Sequence, residues 1–255
     1  MLELSKVYTR LDQPNTALDL LKHQLEEELA GSLHLQLAIG RIYDGLNDLD
    51  ASVGFYKSAL IADSSCVEAI ACLGAHHFYT DQPEIALRFY RRLLQTGVNS
   101  AALWNNLGLC CFAAGQYDMT VVCYERALSM AGDEEVADVW YNIGQLALGI
   151  GDLGLAFQSF KVVTSLDSNH AEAYTNLGVL EMRRGSVDAA MGMFKAAHGI
   201  APGLYEAIYN MALLCYRSGD FSESYRLVQQ ALEANPDHGE SRELLKIVKS
   251  AFTSM

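Results

Sequence analysis

Bulky, mostly apolar residues recur along the chain at helical spacing around a small residue, which we call the anchor. They stand four residues before the anchor, one before it and three after it, and this i, i+3, i+7 stripe predicts the buried face of a helix. The stripe returns at intervals of 34, 34, 36, 34 and 34 residues. The anchors are Gly40, Gly74, Gly108, Gly144, Gly178 and Ala212, and a weaker earlier copy has Ser5 in that place.

A second helix is predicted in the second half of each copy. A small residue stands twelve positions after the anchor. An aromatic or apolar residue follows four positions later, and a further mostly apolar residue three positions after that, as in Ala156, Phe160 and Val163. We expect the anchor to be small because another helix backbone passes close to it. Each copy is therefore predicted to be a helix–turn–helix unit.

The expected turns carry residues that end and begin helices. Glycines follow the first helices, where a left-handed cap is favourable. Asp152, Ser186 and Asp220 stand where second helices need N-caps, and "DFSE" at 220–223 predicts a capping box. Pro83 falls in the first turn of a second helix, where proline is tolerated. The glycines are Gly115, Gly151, Gly185 and Gly219.

A helix–turn–helix period of 34 residues is typical of tetratricopeptide repeats. The sequence therefore predicts an all-α, right-handed α-solenoid, a single superhelix over residues 1–255. We expect a partial repeat in 1–32 and repeats that start near 33, 67, 101, 137, 171 and 205. An amphipathic helix over 239–254 should cap the last repeat through Leu244, Leu245, Val248 and Phe252. Met1 falls in the middle of a first helix, so we expect that the N-terminal portion of a longer protein is missing.

The charge and the cysteine content limit which classes of function are expected. The 31 acidic residues exceed the 18 basic ones, giving a net charge of -13, and this argues against nucleic-acid binding. No apolar run approaches the roughly 18 to 20 residues of a membrane span, so direct membrane insertion is not expected. The six cysteines lack a C-x-x-C pair and fall within helical stretches, which favours reduced, packed thiols in a reducing compartment.

Signatures of chemistry are weak throughout. "GIGDLG" at 149–154 follows a predicted helix instead of a strand, so it is interpreted as a capping turn. His76 and His77 are neighbours on a helix and point to different faces. The acidic "GDEEVAD" at 132–138 lacks the alternating ligands of a calcium loop. We predict no enzyme activity, no catalytic residues, no cofactor and no metal.

The candidate binding site is a row of asparagines two residues before four successive anchors: Asn106, Asn142, Asn176 and Asn210. An asparagine amide has donors and an acceptor, enough to bond both backbone groups of an extended peptide in a concave groove. The alternative is that Asn only fills a polar position of the repeat. A second candidate surface, on the convex side, carries Arg88, Arg91 and Arg92.

Two stretches go beyond the general repeat pattern: "DQPEIALRFYRRLLQ" at 81–95 and "NNLGLCC" at 105–111. They resemble the tetratricopeptide-repeat subunits of the BBSome. The resemblance implies a non-enzymatic scaffold in a coat-like complex that traffics membrane proteins to and from cilia. Its implied partners are other BBSome subunits, among them a small extended one, and ciliary membrane-protein cargo reached through the complex. The implied location is the cytoplasm, the cilium, its basal body and the centriolar region.

Two other functions remain open. One is the substrate-binding arm of an enzyme such as an O-linked N-acetylglucosamine transferase, which also carries an asparagine row. A capping helix followed by the chain end would leave no room for a catalytic domain. The other is a chaperone adaptor that grips an acidic C-terminus. The positions beside the asparagines hold Asp138, Glu172 and Glu206, which would repel an acidic tail.

Overall fold

The computed structural model describes residues 2–27 and 32–253, and in those ranges the chain is helical, with fifteen helices and no strand. The helices are α1 (Leu2–Arg10), α2 (Pro14–Glu27), α3 (Leu33–Gly45), α4 (Leu49–Ala62), α5 (Val67–Tyr79), α6 (Pro83–Gln95), α7 (Ala101–Ala113), α8 (Tyr117–Met130), α9 (Val136–Ile150), α10 (Leu153–Leu166), α11 (Ala171–Arg183), α12 (Val187–Ile200), α13 (Tyr205–Arg217), α14 (Phe221–Ala234) and α15 (Gly239–Thr253). Met1 and residue 254, which belong to the expected first helix and capping helix, lie outside the described residues.

The contacts divide the chain into two units, Met1–Ala131 and Gly132–Met255. Among α1–α14, odd-numbered helices are the first helices of their repeats, and each packs against the second helix that follows it after a short turn. Such a short connection makes the two helices antiparallel. The first unit holds four such pairs, α1–α8, and the second holds three, α9–α14, together with α15.

The turn inside each pair needs one residue in the left-handed region, and it always falls seven residues after the anchor. Four later repeats use glycine there, with φ between 71° at Gly115 and 85° at Gly219, as the sequence predicts. The three earlier repeats use Asp or Asn, which tolerate this region better than other side chains. These residues are Asp12 (φ 58°), Asn47 (φ 59°) and Asp81 (φ 58°).

The anchor is small for a different reason from the one expected. In five repeats, an added Cβ atom at the anchor would meet the aromatic ring that stands sixteen residues later on the second helix. At Gly108 the ideal Cβ would lie 2.4 Å from Cε1 of Tyr124. The expectation of a passing helix backbone is therefore wrong. One edge of the ring lies where the Cβ atom would stand, and only glycine leaves it room.

The N-caps agree with the sequence in part. The Asp152 carboxylate accepts from the backbone N–H of Leu155 at 2.9 Å, and the Asp220 carboxylate accepts from that of Glu223 at 3.1 Å. Ser186 precedes α12 but makes no side-chain cap bond. The expected capping box is incomplete because the Glu223 carboxylate pairs with Arg226, while the Asp220 N–H donates to the Cys215 carbonyl. Pro83 begins α6 as predicted.

Each unit has its own apolar core. In the first unit, one cluster joins α2 to α3, a second joins α3, α4 and α5, and a third joins α5 to α8. In the second unit, one cluster is centred on Phe160 and another on Phe194 and Val228. The helix α15 buries Leu244 and Val248 in the latter, with Leu245 packed against its edge, whereas the side chain of Phe252 lies outside the described set. All six cysteines are free thiols, five buried and Cys72 half-buried.

Candidate partner-binding face

The four asparagines of the sequence prediction lie on first helices at one repeat position, and all are half-buried. Asn106 stands on α7 in the first unit, whereas Asn142, Asn176 and Asn210 stand on α9, α11 and α13 in the second. The three in the second unit share one side of neighbouring helices, because α11 contacts α13 and a side-chain hydrogen bond joins α9 to α11. We call this surface the first-helix face.

Tyr141 is the centre of the first-helix face. Its hydroxyl accepts from Asn176 Nδ2 at 3.4 Å and from Gln145 Nε2 at 2.9 Å, so the phenol links α9 to α11. Burial raises the pKa of Tyr141, and the nearby carboxylates of Glu172 and Glu206 raise it further. The phenol therefore stays neutral and keeps its proton at physiological pH.

The remaining amides of this face are also engaged by the protein. Asn210 Nδ2 donates to the backbone carbonyl of Glu206 at 2.8 Å, one turn earlier on α13. An amide that donates through Nδ2 keeps its Oδ1 acceptor and its second N–H. Asn176 and Asn210 therefore hold defined orientations and still have hydrogen-bonding capacity for a ligand.

An acidic residue stands four positions before each of these asparagines: Asp138, Glu172 and Glu206. Residues four apart lie on one side of a helix, so the carboxylates belong to the first-helix face. Asp138 and Glu172 are exposed, and Glu206 is half-buried. The placement agrees with the sequence argument that this surface is acidic.

Sequence reasoning missed two tyrosine–histidine ring contacts, in which tyrosines of α9 and α13 pack against histidines of inter-helix turns; the first is tilted and the second is edge-to-face. The ring centroids of Tyr141 and His170 are 4.6 Å apart, and those of Tyr209 and His238 are 5.1 Å apart. His170 also caps α11, because its Nδ1 accepts from the Ala173 N–H at 3.3 Å. The signal was present in the sequence, since the second pair repeats the first at a distance of two repeats, 68 residues.

The three arginines of the other candidate surface all lie on α6, and they point to different neighbours. The Arg92 guanidinium donates to the Ser64 carbonyl, in the turn that precedes α5. Burial raises the pKa of the Cys111 and Cys123 thiols, and the charge of the nearby Arg91 acts against this rise. Arg88 is exposed. One of the three is thus already tied to the fold.

The first unit contains a cavity that the sequence did not suggest. Its volume is about 780 Å³, and it lies beside α1, α3 and the start of α5. Arg41 and Glu68 form a two-bond ion pair at its wall. Both charged and apolar side chains line it, among them Lys6, Arg10, His34, Leu37 and Ile42.

Two further properties bear on what these surfaces can do. Among the described residues, no three or more His, Cys, Asp or Glu side chains converge to hold a metal ion. No helix in the same ranges has the length and apolar character of a membrane span. The first-helix face thus offers carboxamides, carboxylates and phenols, which are groups for polar recognition.

Comparison with protein families identifies the repeat. Two models that are both described as tetratricopeptide repeat match residues 99–169 and 181–246. The chain belongs to the tetratricopeptide-repeat family. The fold class expected from the sequence, an all-α solenoid of these repeats, is confirmed by the helix pairs and by these matches.

Two curated proteins that the chain resembles share a name. The chain is 49% identical over 255 residues to the mouse "Tetratricopeptide repeat protein 8", covering 100% of this chain and 49% of that protein. The protein of the same name from Caenorhabditis elegans is 44% identical over 168 residues, which cover 66% of this chain and 33% of that one. The chain spans about half the length of the mouse relative. A weaker match is "BBSome complex member BBS4" of Xenopus tropicalis, 30% identical over 88 residues, covering 34% of this chain and 17% of that one.

Solved structures support the fold. A tetratricopeptide repeat protein from Parabacteroides merdae superposes with a TM-score of 0.79 at 16% identity, covering 97% of this chain and 96% of that one. The APC/C hetero-tetramer Cut9–Hcn1 gives 0.76 at 14% identity, covering 96% of this chain and 48% of the matched chain. At such low identity, these likenesses establish the fold alone.

Proposed function

We propose that this chain is the repeat portion of a non-enzymatic scaffold, the BBSome subunit named tetratricopeptide repeat protein 8, which is also the eighth Bardet–Biedl syndrome protein. Its role is to hold an extended segment of another subunit on its asparagine row. The complex acts in the traffic of membrane proteins to and from cilia, so we place the chain in the cytoplasm, at the cilium, its basal body and the centriolar region.

The observation that carries this proposal is the 49% identity to the mouse relative along the whole chain. The weaker match to a second protein, whose name states membership of the BBSome, agrees with it. Partners in this proposal are other BBSome subunits and, through the complex, membrane-protein cargo. The proposal needs no catalytic group and no cofactor.

The asparagines give the scaffold a way to bind a segment without reading its side chains. An extended backbone presents an N–H and a C=O at each residue, and a carboxamide can bond both. The amides of Asn176 and Asn210 are oriented in advance by the Tyr141 hydroxyl and the Glu206 carbonyl. Orientation before binding reduces the entropy that binding costs.

The test replaces Asn106, Asn142, Asn176 and Asn210 by alanine and measures assembly with co-expressed BBSome subunits. One neutral hydrogen bond contributes about 0.5 to 1.5 kcal/mol, so a single replacement should weaken binding only several-fold. All four together should cost on the order of 2 to 6 kcal/mol, enough to abolish a micromolar interaction. The melting temperature should fall little, because half-buried amides contribute modestly to stability.

The control replaces exposed carboxamides on second helices, Gln95 and Gln158, by alanine. This variant should assemble as the parent does. Normal assembly of a well-folded quadruple variant would refute the binding role of the asparagine row. In that case the α6 surface with Arg88, Arg91 and Arg92 would be the next to test.

A further inference from the structure

Acidic residues recur on the first helices of the second unit at the repeat spacing of 34. Asp138, Glu172 and Glu206 each stand in the first turn of their helix, and Glu240 continues the series on α15. Negative charge in a first turn stabilises a helix, which is one reason for acids there. Helix stability does not require these acids to lie on the side that carries the asparagines. Their position on the first-helix face therefore needs another explanation.

Tyr141 lies near enough to two of these acids to be affected by their charge. Both Glu172 and Glu206 act electrostatically on its hydroxyl, although they stand on different helices, α11 and α13. The Asn176 amide meets the same hydroxyl at 3.4 Å. A phenol and a carboxamide from successive first helices therefore meet on the first-helix face, and the two acids stand in the first turns of α11 and α13.

The carboxylates of this face have few protein partners: the Tyr205 hydroxyl hydrogen-bonds to the Glu206 carboxylate, and His238 Nε2 lies 3.7 Å from Glu240 Oε2. Glu206 Oε2 is shielded from solvent and has no hydrogen-bond donor within the described part of the chain. A shielded, unpaired acceptor is unfavourable, and more so when it is charged. None of the described lysines or arginines forms a salt bridge with Asp138, Glu172 or Glu206. The partner of Glu172 is His170, whose Nδ1 lies 3.3 Å from Oε2 and already accepts from Ala173.

A metal ion does not fit this arrangement. The acids are spread along successive helices, and no group of three or more metal ligands converges among the described residues. A row of carboxylates interleaved with carboxamides fits an elongated ligand instead. The carboxamides can bond its backbone, and the carboxylates can pair with cations on its side chains.

The helix spacing sets the spacing of those cations. Packed helices are about 8 to 10 Å apart, and an extended chain advances about 3.3 Å per residue. One repeat therefore corresponds to about three residues of ligand. A polyproline-type strand, with three residues per turn, presents every third side chain on one side.

We infer that the first-helix face binds an extended segment of a partner protein that carries lysine or arginine at about every third residue. The inference rests on the proposed function and adds the chemistry of the segment. One basic side chain lies between Glu172 and Glu206, beside Tyr141. Its neighbours on the ligand pair with Asp138 and Glu240.

The test measures the binding of labelled synthetic peptides to the whole chain by fluorescence anisotropy. The first peptide is four repeats of Lys-Ala-Ala, the second has the same composition with its lysines in one block, and the third has Glu in place of Lys. We expect the first to bind most tightly and the third not to bind. Binding should weaken between low salt and about 0.15 M salt, because the carboxylates are near the surface.

Two matched variants distinguish the effect of acids on the first-helix face from the effect of the chain's net charge. Glu172→Gln with Glu206→Gln removes two acids of the face, and Asp118→Asn with Asp188→Asn removes two exposed first-turn acids of second helices. The first variant should bind the Lys-Ala-Ala peptide about 2- to 30-fold more weakly, the range for two solvent-accessible ion pairs. The second should change affinity less than about twofold. If the Glu206→Gln change impairs folding, the single variant Glu172→Gln, at an exposed position, is measured instead.

Equal losses in the two variants, equal affinity for the spaced and blocked peptides, or no binding of the spaced peptide would each overturn the inference. Subunit assembly then distinguishes it from the proposed function. Suppose that the asparagine variant fails to assemble while the Glu172→Gln, Glu206→Gln variant assembles normally. In that case a segment binds to the asparagine row, but its basic side chains do not contribute, and only the further inference fails. Normal assembly of both variants would reject the proposed function as well.

Discussion

The ring of Phe160 lies across the backbone of Gly144, so that a Cβ atom at residue 144 would stand 2.6 Å from Phe160 Cε1. The same relationship holds sixteen residues apart in four other repeats, as in Gly178 with Phe194. Where the second helix lacks a ring, the anchor carries a side chain: Ala212 goes with Val228, and Ser5 with Leu21. The two positions therefore change together, and the ring decides whether a Cβ atom fits.

Gly144→Ala should destabilise the chain because the added methyl group meets a buried ring. Overpacking of a close-packed core costs about 1 to 3 kcal/mol, which outweighs the roughly 0.5 to 1 kcal/mol that alanine gains in helix propensity. Gly192→Ala, on α12 with no atom within 4 Å of its ideal Cβ, should gain that propensity without a clash. Urea unfolding of both variants checks this, and similar stabilisation of the two would show that the repeat register is wrong.

Phe160→Val should rescue Gly144→Ala in part, because the pair then matches Ala212 and Val228. Phe160→Val alone leaves a cavity and should cost on the order of 2 to 4 kcal/mol. The double variant should be more stable than the sum of the single effects by about 0.5 to 3 kcal/mol, the range for contacting residues. A double-mutant cycle in urea measures this coupling. Strict additivity would mean that the methyl group and the ring do not compete for space.

The two N-cap positions of the second unit should respond differently to alanine. The Asp220 carboxylate bonds the Glu223 N–H at 3.1 Å, whereas the Ser186 side chain makes no cap bond. Asp220→Ala should cost about 1 kcal/mol and Ser186→Ala only a few tenths. Thermal melts followed by circular dichroism distinguish them. A larger loss for Ser186→Ala would mean that its hydroxyl caps α12 in solution.

The sequence specified helices and turns well because their causes are local. Apolar spacing of 3, 4 and 7 and a turn residue seven positions after the anchor are visible in a linear pattern, whether the turn uses Gly115 or Asp81. The reason for the small anchor was not visible, since it depends on the rotamer of a ring sixteen residues away. Ser186 and Asp220 occupy the same repeat position, and only side-chain geometry tells the used cap from the unused one.

The candidate site could be predicted only to the level of positions. The period of 34 places Asn142, Asn176 and Asn210 on one repeat position, and the structure puts them on neighbouring helices. Their existing bonds depend on other elements: Asn176 meets the Tyr141 hydroxyl from the preceding repeat. Such contacts between repeats follow from how helices pack, and a single repeat does not encode them.

The six thiols should be slow to react in the native chain and fully reactive after unfolding. Five are buried, and burial raises the pKa of Cys110 to about 12, so the reactive thiolate is scarce. The half-buried Cys72 should react first, and Cys72→Ser should remove that phase. A chromogenic thiol reagent, added with and without denaturant, gives both rates and the count. Fewer than six thiols after unfolding without reductant would reveal a disulfide and contradict the reduced state.

Alkaline pH should destabilise the chain through the same buried thiols. Burial raises the pKa of Cys110 to about 12 and that of Cys123 to about 11, against about 8.5 for an unfolded cysteine. Above about pH 8.5 the unfolded chain loses these protons while the folded chain keeps them, so the unfolded state binds fewer protons and stability falls as pH rises. The buried phenols of Tyr90 and Tyr124, whose pKa values are also raised by burial, act in the same direction at higher pH.

Each group contributes up to about 1.4 kcal/mol per pH unit once the unfolded form has ionised. Between about pH 8 and pH 10.5 the loss should therefore be on the order of 2 to 5 kcal/mol for the two thiols together. Urea unfolding at these two pH values measures the loss. A Cys110→Ala, Cys123→Ala variant should lose much less stability over the same pH interval. Its stability at about pH 8 should be lower than that of the parent, because buried atoms have been removed. If the parent were equally stable at the two pH values, the thiols would have to ionise as readily in the folded chain as in the unfolded one. Cys110 on α7 and Cys123 on α8 would then not be buried, and the prediction would be wrong.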